Sequence, residues 1–266
     1  MTAHFPIPMQ RAQGVAAVTL KAGGRLDRLR QQGSAKAILH HLSGPEVVFL
    51  NTSGGLTGGD RLSFSLTLAD GVRAMATTQT AERAYRAGQG VARMDVALTV
   101  GAGGWLDWLP QETILFDGSA LNRRTRVDLG CDAGCLILES VVLGRAAMGE
   151  TVTTAHLSDR REVFRDGRPV LVDPVRLTDQ ALRSGPAGLD GARAFASVSM
   201  IAPGAADALA PVRRVLDEAG CRGAASALDG RLNIRILATD GWPLRRQVAR
   251  VLHVLRPAGL PRVWQM

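Results

Sequence analysis

The chain has almost no lysine: Lys21 and Lys36 stand alone, and the rest of its 32 basic residues are arginine. Aromatic side chains make up only 4% and the arginines are scattered. The formal charge of +8 therefore lacks the basic patch interleaved with stacking rings that nucleic-acid binding needs. An acidic protein partner makes better use of such a charge, through steering and interface pairing. Three cysteines, an odd number, build no disulfide framework. No run of eighteen apolar residues occurs, which excludes a membrane-spanning helix, and the first residues carry no charged-then-apolar leader. A cytoplasmic protein with reduced thiols and no membrane partner is the expectation.

Catalytic signatures are equally scarce. His4, His40, His41, His156 and His253 include no pair at helical i,i+4 spacing, and none neighbours a cysteine. His40 and His41 on one strand point to opposite faces. Cys131 and Cys135 bracket a turn and Cys221 stands apart, whereas a tetrahedral zinc site needs two further ligands. The glycine-rich stretch Asn51-Thr52-Ser53-Gly54-Gly55-Leu56-Thr57-Gly58-Gly59-Asp60 lacks the Lys-Ser or Lys-Thr of a phosphate loop, and a strand rather than a helix follows it. It reads as a tight connection in which glycine lets the backbone approach another surface.

What is present is a core and a strand-like texture. With 46% hydrophobic residues over 266 positions, the chain can bury a sizeable interior. From Ala35 onward, short alternating or apolar runs are separated by turn residues, as in an all-β architecture. The strands expected are 36–42, 46–50, 61–68, 73–78, 92–100, 104–109, 112–116, 121–129, 135–143, 151–157, 162–165, 169–177, 194–199 and 232–238. Leu136–Leu143 is nearly continuously apolar and should be covered on both faces. In the final third the period changes. Leu209, Val212, Val215 and Leu216 share a helical face over 206–219. Leu244, Val248, Val251, Leu252 and Leu255 form a stripe opposite Arg245, Arg246 and Arg250, ended by Pro257. The fold expected is mainly β, with stacked multi-stranded sheets in an irregular β-solenoid-like arrangement and two α-helices in the C-terminal third. Residues 1–266 read as a single domain with 1–34 as a partly ordered lead-in.

Several segments also carry a resemblance. Asn51–Leu62, Thr77–Arg86, Trp108–Gly118, Gly144–Glu150 and the terminal Pro261-Arg262-Val263-Trp264 stand in the order and spacing of the UreD (also called UreH) family of urease accessory proteins. The resemblance implies a scaffold, not an enzyme. It would bind urease apoprotein and, with UreF and the GTPase UreG, guide nickel into the nascent active site through an internal, water-filled passage, as part of a dimer of heteromers. Nickel would be held only transiently. The coupling to UreF implied for the C-terminal region falls here on Arg245, Arg246, Arg250 and Trp264.

A passage must bind its ion weakly at several points, which dispersed oxygen ligands do better than a cysteine cluster. Asp60, Thr77, Thr78, Glu82, Glu139 and Glu150 are the candidates for it. Glu139, in the middle of an apolar strand, is costly there unless it is paired or wet. Facing a wet passage, it would escort the cation; paired with one of the many arginines, it would be structural. Two other readings compete. A hydrolase or transferase would use Asp60 and Glu112 as acid and base in one closed pocket, and a stand-alone nickel-binding protein would need a clustered site.

Overall fold

The computed structural model describes residues 10–41, 44–256 and 258–264. His4, the last residue of the strand expected over 36–42 and the stop at Pro257 lie outside them.

The chain winds back and forth between two sheets. Strands β1 (Gln13–Lys21) and β2 (Arg25–Gly33) form a hairpin in the first sheet, and β3 (Ala35–His41) and β4 (Pro45–Asn51) form one in the second. The winding then alternates: β5 (Arg61–Leu68) in the first, β6 (Arg73–Thr78) in the second, with the short β7 (Glu82–Ala84) at its end. β8 (Ala92–Val100), β11 (Ser119–Leu129) and β13 (Ala155–Arg165) continue the first sheet. β9 (Trp105–Trp108) and β12 (Gly134–Leu143) continue the second, where β10 (Thr113–Leu115) bridges β7 and β12. Neighbours along each run pair in parallel, β5 with β8, β11 and β13, and β4 with β6, β9 and β12, giving a β-solenoid of about four turns. β14 (Arg168–Leu177) closes the first sheet. β15 (Ala194–Ile201), β16 (Cys221–Leu228) and β17 (Arg231–Ala238) extend the second in antiparallel pairing.

Parity builds the interior. Leu62, Phe64, Leu66 and Leu68 point inward from β5 and meet Phe49 and Trp108 of the other sheet. The rings of Phe49 and Phe64 stack at 4.8 Å. The expected lead-in over 1–34 is corrected from Gln13 onward, where the β1–β2 hairpin is fully formed. Every residue of β2 is exposed, so selection for burial left it no alternation to read.

Among the described residues there are three α-helices: α1 (Asp179–Leu182), α2 (Leu209–Arg214) and α3 (Gly241–Leu255). α3 lays Leu244, Val248, Val251, Leu252 and Leu255 on the outer face of the second sheet, each worth roughly 1.5–3 kcal/mol of burial. Asp240 caps it, its carboxylate accepting from Gly241 N at 2.7 Å. α2 stops five residues before the expected end because α3 takes over its backbone groups. Gln247 accepts from Glu218 N at 2.9 Å and donates to the Val215 carbonyl at 2.7 Å.

Candidate functional site

The inward ladder of the first sheet changes character halfway along. In register, Leu62 and Met94 are followed by Arg123 and Asp159, while Phe64 and Val96 are followed by Thr125, Arg161 and Asp173. From the second sheet, Glu139 faces them, flanked in register by Ser197 and Arg235. Charged side chains thus interrupt the apolar core over the last two turns, between Leu121 and Val127 on β11 and between Leu157 and Val163 on β13.

Arg123 is the hub. It grips Asp159 with two hydrogen bonds, Nε to Oδ1 at 2.9 Å and Nη2 to Oδ2 at 2.8 Å. It also pairs with Glu139 at 2.8 Å and donates to Thr113 Oγ1 at 2.8 Å. Trp108 Nε1 and Thr125 Oγ1 donate to the remaining Glu139 oxygen at 3.1 and 3.0 Å. Glu139, Arg123, Asp159 and Arg161 are all at most 4% exposed. Burial raises the Glu139 pKa, opposed by the Arg123 charge. At Asp159 burial also pushes upward, but the charge and hydrogen bonds of Arg123, with Arg161 and Arg235, outweigh it and hold the carboxyl below its usual range. The two carboxyls likewise raise Arg123 against its burial. Arg161 passes the chain on to Asp173 at 3.1 Å, and Asp173 pairs with Arg235. Nε and Nη2 of Arg161 lack hydrogen-bond partners among the described residues.

Each end of this row reaches a cavity. At one end Glu82, whose oxygens accept from Asn51 Nδ2 at 3.1 and 3.3 Å, joins Thr78 in lining a small cavity of about 40 Å³. Burial pushes the Glu82 pKa up to about 7, against the Asn51 hydrogen bond and the more distant Arg123 charge. At the other end Asp173 and Arg235 line an open cavity of about 400 Å³ with Arg231 and Asn233.

The residues expected for the passage are therefore only partly brought together. Thr78 and Glu82 share a cavity, and Glu139 lies beyond Thr113 and Arg123 along the row. Glu139 does not stand in an open wet channel: it is a buried partner of Arg123, the outcome that its apolar strand demands. Thr77 faces away from Thr78, as adjacent strand residues must, and donates to the Leu109 carbonyl at 2.6 Å. Asp60 is committed to the loop, accepting from Ala12 N and Thr57 N at 2.8 Å each. That loop needs glycine at 58, where a Cβ would meet the Gln89 carbonyl oxygen at 2.1 Å. Glu150 closes another turn, bonded to Arg145 Nε at 2.7 Å and to Asp117 N at 3.1 Å, and these bonds lower its pKa. The acid–base pair Asp60 and Glu112 is also not assembled: Glu112 turns to Arg245 at 3.4 Å and lines a cavity of only about 10 Å³.

The C-terminal candidates divide. Arg245 is internal, bonded to Gln111 at 2.5 Å and to the Val263 carbonyl at 3.2 Å, with its guanidinium over the Trp264 ring. Trp264 is buried and donates to the Leu109 carbonyl at 2.9 Å. Both fasten the tail to α3. Arg246 and Arg250 remain on the surface, paired with Glu218 and Asp217 at 3.2 and 2.5 Å.

The reading from sequence missed Arg123, Asp159 and Arg161. Parity was the available signal: Arg123 falls in the series Leu121, Thr125, Val127, Leu129, and the other two fall in the series Leu157, Val163. A charged residue on the inward parity of a strand has to be paired across the core.

Fold and interior together define a two-sheet β-solenoid that carries a row of buried, mutually paired charges. The family model described as UreD urease accessory protein matches residues 12–265. The urease accessory protein UreD of Cereibacter sphaeroides is 62% identical over 264 residues, covering 97% of this chain and 96% of that protein. That of Paracoccus denitrificans is 57% identical over 98% and 95%, and that of a Jannaschia species 49% identical over 97% of each. The chain belongs to the UreD family of urease accessory proteins.

Proposed function

We propose that the chain is a non-catalytic maturation factor, acting as one unit in the cytoplasm. It binds urease apoprotein together with UreF and the GTPase UreG and passes nickel toward the urease active site by way of its own interior. The observation that carries the interior route is the polar row that runs from Glu82, by way of Thr113 beside it in register, through Arg123, Glu139, Asp159 and Arg161 to Asp173, with a cavity at each end.

The physics favours transit over storage. Among the described residues no three histidine, cysteine, aspartate or glutamate side chains converge as metal ligands. The interior carboxyls are shared with arginines, so a divalent cation would have to displace a guanidinium at each step. It would therefore be held weakly, as cargo must be. Glu82 suits the entrance. Its pKa of about 7 lets it take up a cation by losing a proton and release it by regaining one near neutral pH. Arg246 and Arg250, exposed but paired with Glu218 and Asp217, would exchange those partners for the acidic side of a partner complex.

The test is urease produced with and without this chain. Without it, the enzyme should assemble but carry little nickel, measured by elemental analysis, and should be inactive. Urease with its full nickel content and activity in the absence of this chain would overturn the maturation role.

A further inference from the structure

We infer that a second cavity, on the outer face of the second sheet, is a docking pocket for a basic residue of a protein partner. The pocket holds about 650 Å³ and lies where the C-terminal end of α3 leaves the sheet. Its floor follows a single rank of the sheet: Glu46 of β4, Met75 of β6, Asp107 of β9 and Met200 of β15 line it, with the buried Leu136 of β12 between the last two in register. These positions have the parity opposite to the interior row, so nothing here touches the Arg123 network.

Two carboxyls lie in this pocket, and their circumstances differ. Asp107 is fully engaged, accepting from Trp105 Nε1 at 2.7 Å and from Arg256 Nε at 3.0 Å. Glu46 is only 7% exposed, yet its Oε1 is buried and has no hydrogen-bond partner among the described residues. A buried carboxyl oxygen left unmatched is costly, and because Glu46 lines the pocket, a turn of its carboxylate would bring that oxygen to a donor arriving from outside. The walls around it are apolar and adaptable: Pro45, Ala74, Met75, Trp105, Met200 and Leu255. Methionine reshapes readily around different guests.

The chemistry selects the guest. A divalent cation would find one free carboxyl beside thioethers, too few hard oxygen ligands for a site. The lining also holds two arginines, but Arg256 is committed to Asp107 and to the Ala258 and Gly259 carbonyls and Arg73 lies over Trp105, so an anion would meet the unmatched Glu46. A guanidinium or ammonium on an aliphatic stem fits both the carboxyl and the walls. The volume lies within the ~300–1,000 Å³ of pockets that enclose a drug-sized molecule, which leaves room for the apolar side chains beside that basic residue. The occupant assigned is therefore a protein segment that presents arginine or lysine next to an apolar residue.

The experiment uses the full chain labelled at the methionine methyl groups and two blocked peptides, Ac-Leu-Arg-Leu-NH2 and Ac-Leu-Gln-Leu-NH2. The arginine peptide is expected to shift the Met75 and Met200 methyl resonances, and the glutamine peptide to shift them far less. Glu46→Gln should weaken the arginine peptide by about tenfold, the scale of one charge-assisted hydrogen bond. Met75→Lys places an ammonium beside Glu46 within the chain itself; it should raise the melting temperature and abolish binding, read at Met200. Arg73→Gln removes the basic side chain at the rim, which lies over Trp105, and should tighten binding. Equal shifts from both peptides, or none from the arginine peptide, would overturn the assignment. So would unchanged affinity in Glu46→Gln. A response to butylguanidinium equal to that of the arginine peptide would make this a small-molecule site and reject the protein partner.

Discussion

Glu82 and Glu139 are both carboxyls whose burial raises their pKa, but their neighbours give them different work. Glu139 has Arg123 within 2.8 Å and two further donors, so its charge is matched in place. Glu82 has only the neutral amide of Asn51 as a hydrogen-bond donor from another side chain, and its pKa reaches about 7. The sign of the linkage follows. The unfolded chain loses this proton near pH 4.5, whereas the folded chain keeps it to about 7. The contribution of Glu82 to stability is therefore complete below its unfolded pKa and disappears as pH rises through about 7. Over that window it should amount to ~3 kcal/mol. Urea unfolding of the unsubstituted chain and of Glu82→Gln at several pH values measures it as a difference. The variant is expected to lose this slope, and parallel profiles would show that Glu82 titrates normally.

At the scale of elements, legibility followed exposure. The strands β5 and β8 match their alternating runs because each has one wet face. The sequence pattern divides β13 into two pieces, 151–157 and 162–165, because Asp159, Arg160 and Arg161 interrupt its apolar run, although Asp159 and Arg161 are buried. β16 escaped notice because Cys221–Leu228 is rich in alanine and glycine and mostly exposed. α3 was legible in its stripe, but the division of labour among its arginines was not. Arg245 is drawn inward by Gln111, Glu112 and Trp264, all remote in sequence. This gives a paired prediction. Arg246→Glu should keep the fold, because Arg250 still reaches Glu218, while weakening copurification with UreF. Arg245→Glu should instead destabilise the chain by ~2–4 kcal/mol, since it strands the groups that fasten the tail. Copurification unaffected by Arg246→Glu, with unfolding midpoints alike in the two variants, would defeat this division.

For the whole molecule, the two-sheet winding could not be read from the strands, because one-faced strands of either sheet carry the same pattern and only the parallel register tells them apart. The same register stacks Arg123, Asp159, Arg161 and Asp173 into one row, although 36 residues separate the first two. Such a row is a poor way to hold two sheets together. Desolvating these charges costs about as much as their pairing returns, and well-packed apolar residues commonly serve as well or better. An interior kept polar at that cost is best explained by something the protein does. The joint replacement Arg123→Met, Glu139→Leu and Asp159→Leu separates the two demands, because it removes the hub and both of its carboxyl partners and leaves Arg161 with Asp173. The fold should survive with stability unchanged or raised by ~1–4 kcal/mol in urea unfolding. Urease matured with this variant should nevertheless be poor in nickel, measured by elemental analysis of the purified enzyme. Normal nickel loading by the folded variant would show that the charged row is structural and that nickel takes another route.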